Sequence, residues 1–104
     1  MQTHTLSLGM NIPDAGMVTE QMWQQFLKET VCFFLDCCTI TEGVGIWKGD
    51  IERTKIISVT VDERSIASVA IIDNLREVGN QWKTQFRQEC VMLTSTQIAD
   101  VVFA

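Results

Sequence analysis

WKGDIERTKIISVTV, residues 47–61, is the stretch that decides the fold. Lys48, Gly49 and Asp50 are turn formers. Beyond them the residues alternate, with Ile57, Val59 and Val61 on one side and Ile56, Ser58 and Thr60 on the other. That period of two predicts a half-buried β-strand over 52–61, with Glu52 at its start. The preceding stretch, CTITEGVGIW at 38–47, is rich in β-branched residues and carries two glycines. It is predicted to be a second strand, with a bulge or a close backbone approach at Gly43 or Gly45. The two strands are expected to pair as an antiparallel hairpin.

Working outward, residues 3–10 alternate between Thr3, Thr5 and Ser7 on one side and His4, Leu6, Leu8 and Met10 on the other, which predicts another half-buried strand. His4, near its open end, is expected to be partly exposed. Residues 11–18, NIPDAGMV, have no period and contain Pro13, Asp14 and Gly16, so they read as a loop able to line a site at the end of the sheet. Thr19 is a good N-cap, Glu20 complements the helix dipole, and Val18 and Trp23 are spaced as a hydrophobic staple. Trp23, Phe26, Leu27, Thr30, Val31 and Phe34 then follow helical spacing to about Phe34, and Asp36 breaks the pattern. The aromatic stripe is read as core.

On the other side of the hairpin, residues 62–65 offer caps for a second helix running to about Phe86, with Ile72, Leu75, Gly79, Trp82 and Phe86 in one stripe and Ile71 and Val78 widening it. Gly79 costs a helix about 1 kcal/mol against alanine, so close packing on the sheet is expected there. QECVML at 88–93 reads as a strand, 95–97 as a turn, and 98–103 as a last strand. The order β-α-β-β-α-β with an extra terminal strand is the α+β, ferredoxin-like split βαβ plan, in one domain over 1–104. Both helices are expected on one face of the sheet, and the other, partly apolar, face is expected to be closed by subunit association.

With 104 residues, 46% hydrophobic and 20% charged, the chain is sized for one domain with an ordinary core. Eight basic residues are scattered among thirteen acidic ones, for a net charge of −5, which argues against a nucleic-acid footprint. The beginning of the chain lacks the basic region and apolar run of a signal peptide, and no apolar stretch reaches the roughly 18 residues that span a bilayer. A cytoplasmic protein with reduced cysteines is therefore expected, with no membrane partner. Cys32, Cys37, Cys38 and Cys90 include no CxxC pair and the only histidine is His4, so no metal site is expected, and the thiols are read as buried and inert.

No GxSxG, P-loop, GxGxxG or HExxH is present, and a Ser-His-Asp or Cys-His arrangement would have to use the poorly placed His4. What remains is a carboxylate beside an aromatic: Glu52 opens one strand and Trp47 ends the other. Across a tight hairpin the pair could seat a cation. A solvated hairpin end is the more ordinary reading of the same residues.

GIWKGDIERTKIISVTV (45–61) and NQWKTQFRQECVMLTSTQIADVVFA (80–104) resemble the small bacteriophage S-adenosylmethionine lyases, formerly called hydrolases, and a family of uncharacterised small bacterial proteins. The matching elements are Gly-x-aromatic at 45–47, Glu-x-Thr at 52–54, Gln-acidic-Cys-Val at 88–91, and Trp82 in the helix between. The upstream run GMVTEQMWQQFLKETV is similar to the uncharacterised family. The resemblance implies a ferredoxin-like homotrimer with sites between subunits, Glu52 as catalytic carboxylate, and Trp47, Gln88 and Thr54 as substrate-binding residues. The lyases carry a Tyr at the Trp47 position and a longer hairpin; this chain has no Tyr. The implied substrate is S-adenosylmethionine itself, with no cofactor. Its own carboxylate displaces the sulfonium to give homoserine lactone and methylthioadenosine, and depletion of the methyl donor would counteract restriction in the host-cell cytoplasm. Two other classes stand beside this one: a non-catalytic protein that sequesters a small nucleotide-like ligand at a subunit interface, and a structural or regulatory module without a ligand.

Overall fold

The computed structural model describes residues 1–98, and the backbone alone of Trp47. Strand β1 (Gln2–Gly9) leads into a small ribbon of β2 (Asn11–Ile12) and β3 (Gly16–Met17). Helix α1 (Glu20–Phe26) runs through a π-helical turn, Leu27–Val31, into a last turn α2 (Cys32–Phe34). The hairpin of β4 (Thr39–Trp47) and β5 (Asp50–Val61) follows, then helix α3 (Ile66–Phe86) and strand β6 (Met92–Gln97). One antiparallel four-stranded sheet has the order β4-β5-β1-β6.

The alternation read from the sequence decides what packs where. His4, Leu6 and Leu8 of β1 and Lys55, Ile57 and Val59 of β5 point to the face covered by helices, and all six are buried. There Trp23, Phe26, Trp82 and Phe86 form an aromatic cluster, with Trp82 edge-on to Phe26 at 4.9 Å between ring centroids. Thr19 caps α1 by accepting from the Met22 amide, and Ser65 caps α3 by accepting from the Ala67 amide. The π turn inserts one extra residue into the helical stripe, so Phe26 is followed by Val31 and Leu35 as the buried positions. Gly79 is buried against the sheet as expected: a Cβ there would stand 2.8 Å from Val91 and 3.3 Å from Leu6.

Several expectations are corrected. The 11–18 loop folds back on itself as β2 and β3. The β4–β5 register is unbroken from Thr39↔Ser58 to Trp47↔Asp50, so there is no bulge; Gly43 is instead a close approach, where a Cβ would lie 3.0 Å from Ile56. The strand expected over 88–93 runs instead over Met92–Gln97, the last among the described residues, and the expected turn at 95–97 lies within it. Arg87 ends α3 in the left-handed conformation, the Gln88 amide donates to the Lys83 carbonyl, and residues 88–91 become a connector. The expected terminal strand, beyond Ile98, lies outside the described residues.

His4 is fully buried, because β1 is a central strand with β5 and β6 on its two sides. Its Nδ1 lies 2.6 Å from Ser95 Oγ. All four cysteines are exposed. Cys32 follows the π turn, which rotates the buried stripe onto Val31 and Leu35, and the others sit in connections. Burial within its loop pushes the Cys38 thiol up, and nearby Cys32 and Cys37 add to the shift. Among the described residues no His, Cys, Asp or Glu cluster is arranged to hold a metal ion, and no helix is long and apolar enough to cross a membrane. The uncovered sheet face carries mostly hydroxyls. Thr3 pairs with Thr60 at 2.8 Å and Thr5 with Ser58 at 3.5 Å, while Ile56 and Met92 share that face by register.

Gly79→Val should destabilise the fold by about 1–3 kcal/mol through overpacking, read as a lower urea midpoint. Acid sensitivity should centre on the start of β1. Hydrogen bonds from the N-terminal ammonium and from Gln97 hold Glu63 down at about 2, and Arg64 holds Asp62 down at about 2. Depressed carboxyls stabilise above their ordinary values, and that contribution is lost as pH falls toward about 2. Glu63→Gln should therefore lose less stability than wild type between about pH 5 and pH 2, measured by denaturant titration at each pH.

Candidate functional site

Lys48 and Gly49, both with positive φ (50° and 84°), close the hairpin in a two-residue turn of the kind that suits the twist of paired strands. That turn sets the register: Trp47 opposite Asp50 and Gly45 opposite Glu52. By alternation Glu52 then shares the uncovered face with Thr54, while Arg53 and Lys55 face the helix side.

Glu52 is half-buried and held. Its Oε2 accepts from the Asn11 amide at 3.1 Å. Its other oxygen lies over the backbone of Gly9, where a Cβ would come within 2.2 Å of Oε1 and 2.7 Å of the carboxyl carbon. Gly9 is required by this contact, not by its φ. The carbonyl of the same Asn11 accepts from Gln88 Nε2. The backbone of one residue thus joins the two side chains, its N–H to the carboxylate and its C=O to the amide, through the two peptide groups that flank Asn11. Two further bonds fix the surrounding backbone. Trp82 Nε1 donates to the Gly9 carbonyl at 3.0 Å, and Arg87 Nη2 donates to the Pro13 carbonyl at 3.1 Å.

Gly9, Asn11, Pro13, Glu52 and Gln88 line a cleft of about 540 Å³ bounded by the end of β1, the β2 strand, the hairpin and the connector after α3. Glu52, Thr54 and Gln88 all line it, so three of the four residues singled out from sequence come together. Trp47 is placed only by its backbone, beside the turn. Among the described residues, Glu52, Asp50 and Glu89 bring three carboxylates to the cleft against the one ammonium of Lys48, a balance that favours a cationic ligand. Sequence reading missed Gly9, Asn11 and Trp82 as supports of Glu52. The available signal was Trp82, a core indole whose N–H needs an acceptor.

A second charged group, also not anticipated, lies on the helix side. Lys55, 5% exposed, donates to Glu20 at 3.2 Å and to Glu42, with its ammonium 5.4 Å from the centre of the Trp23 ring. Burial pulls the ammonium down, but hydrogen bonds to Glu42 and Glu20 outweigh it and leave it above its ordinary value. Glu20 is held below the usual carboxylate range by hydrogen bonds from Gln24 and Lys55.

The model of a family described as "Protein of unknown function (DUF3574)" matches residues 3–103. No curated protein matches the chain. Among solved structures, a phage SAM lyase in its apo state shares the fold with a TM-score of 0.66 at 17% identity, over 91% of this chain and 78% of that one. A phage SAM lyase in complex with S-methyl-5′-thioadenosine gives 0.65 at 15% identity, over 92% and 80%. The resemblance read from the sequence is therefore met at the level of fold.

Gly9→Ala should push the Glu52 carboxylate off its seat. The Asn11 amide, no longer protected, should exchange with solvent about tenfold faster by hydrogen-exchange NMR, the factor expected for loss of one hydrogen bond to a charged group.

Proposed function

The chain belongs to the DUF3574 family of proteins of unknown function, and from that premise we propose that it is an S-adenosylmethionine lyase. The observation that carries the reading is the Glu52 carboxylate, seated on Asn11 in an acidic cleft that also holds Gln88 and Thr54. The fold shared with a phage SAM lyase supports it. The strand order β4-β5-β1-β6 supports the finer assignment to the ferredoxin-like plan.

In the proposed reaction the substrate's carboxylate attacks its own γ-carbon as the C–S bond breaks. The electron pair goes to the sulfonium, which leaves as neutral methylthioadenosine, and the attacking oxygen closes homoserine lactone. Neither water nor a protein nucleophile is consumed. The protein's task is to hold the chain folded with oxygen and sulfur in line, a proximity effect worth up to ~7–11 kcal/mol. Glu52 takes the substrate ammonium on the capacity that Asn11 leaves free. Gln88 positions Glu52 through the Asn11 backbone, and Thr54 hydrogen-bonds the ligand from the same strand face. We assign the aromatic role toward the sulfonium to Trp47 on its place in the chain. We also propose a homotrimer, its copies meeting over the hydroxyl-rich face beside the cleft, and a role in lowering the methyl donor available for host restriction. The substrate is the only small molecule required, and no cofactor enters.

The test is to incubate purified protein with S-adenosylmethionine and follow methylthioadenosine by chromatography. Wild type should form it, Glu52→Gln should lose at least about a hundredfold in rate, as for removal of a principal electrostatic contact, and Gln88→Ala should fall between. Tight binding without product would replace the lyase by a sequestering protein. Neither binding nor product would remove both.

A further inference from the structure

The two faces of β5 carry two different cavities. Opposite the Glu52 cleft, on the helix side, a cavity of about 480 Å³ is bounded by β3, the start of α1, β4 and β5. Its floor holds Lys55, 5% exposed, and its rim holds Glu20, Glu42 and Arg53. Met10, Met17, Val18 and Val44 supply apolar wall.

The charges are not those of a closed structural ion pair. Buried ammonium groups are rare and need full pairing. Lys55 has three donors, and among the described residues two are used, toward Glu20 and Glu42. Its partners' side chains are 66% and 73% exposed, and although Glu20 also accepts from Gln24, carboxylates with about four lone-pair directions each retain acceptor capacity. Arg53 makes no ion pair among the described residues. Val44, directly opposite Arg53 in the register, is 72% exposed, and Met17 is 48% exposed. Spare cationic donors, spare anionic acceptors and uncovered apolar surface therefore meet in one concavity of ligand size. A simple anion would meet Glu20 and Glu42, and a simple cation would meet Lys55 and Arg53. A zwitterion satisfies both signs at once.

We infer that this cavity is a second ligand site, for a zwitterionic α-amino acid with an apolar side chain. The ligand carboxylate lies toward Arg53 and Lys55, its ammonium toward Glu42 and Glu20, and its side chain on the methionine and valine wall. The site lies on the other face of the sheet from Glu52 and does not depend on the lyase reading.

The test is calorimetric titration of the full chain with L-norleucine, and with three relatives each lacking one element: hexanoate without the ammonium, pentylamine without the carboxylate, and glycine without the side chain. Norleucine should bind once per chain, and each relative should bind about tenfold or more weakly, the factor for one charge-assisted contact. Arg53→Gln and Glu42→Gln, both at exposed positions, should weaken norleucine by a similar factor, with thermal melts confirming that they fold. Glu52→Gln should leave it unchanged. No heat with norleucine, equal affinity for hexanoate or pentylamine, or loss on Glu52→Gln alone would overturn the assignment. None of these outcomes is touched by the presence or absence of methylthioadenosine formation.

Discussion

The backbone of a single residue, Asn11, holds the candidate site together. Its N–H is bonded to Glu52 and its C=O to Gln88, residues that lie 41 and 77 positions away in the chain. No side chain of Asn11 is involved. The constraint acts on backbone geometry, so it depends on where β1 ends and how the chain turns into the β2–β3 ribbon. That in turn depends on Trp82, whose indole N–H holds the Gly9 carbonyl from within the core. The aromatic cluster thus does more than bury area. It fixes the height of the one stretch of backbone over which the carboxylate rests.

The alternation of β5 distributes the chemistry. Glu52 and Thr54 fall on the uncovered face and Arg53 and Lys55 on the helix face, one residue apart and separated by the thickness of the sheet. A slip of one residue would exchange the two sets. The two-residue turn at Lys48 and Gly49, both with positive φ, guards against that slip, since few other residue pairs could close it at this register. Lys55 adds a second lock, with Glu42 as its direct cross-strand neighbour and Glu20 at the head of α1.

Much of this was legible from residue order, and the failures have physical causes. Period-two alternation gave β1 and the hairpin, and spacing of three and four gave both helices with their capping residues Thr19 and Ser65. Of the four residues singled out as chemical, Glu52, Thr54 and Gln88 share a cleft because two of them lie on one strand face and the third belongs to the connector after α3 that lines the cleft. The strand expected over 88–93 was misplaced because an apolar run, CVML, looks more like a strand than the hydroxyl-rich MLTSTQ does. The register with β1 rewards the latter, setting Thr96 and Thr94 beside Thr3 and Thr5. His4 was expected near an open end, but the strand that encloses it comes from the far end of the chain. The cysteines were expected inside on general burial preference, but Cys32 lies off the buried stripe of its helix and the others sit in connections.

The seat of Glu52 also limits what the carboxylate can do. A carboxylate offers about four lone-pair directions. One is taken by the Asn11 amide, and the close backbone of Gly9 blocks approach to Oε1 from that side. What remains is directed at the cleft, where Asp50 and Glu89 add negative charge. Such a group is better suited to holding a positive charge still than to swinging between proton donor and acceptor, because movement would break the Asn11 bond and press it against Gly9. The proposed reaction, whose nucleophile and leaving group both belong to the substrate, calls for such a fixed carboxylate, which would keep the ammonium in place while the substrate's own carboxylate closes the ring. The glycine at position 9 is therefore as much a part of this seat as the acid above it.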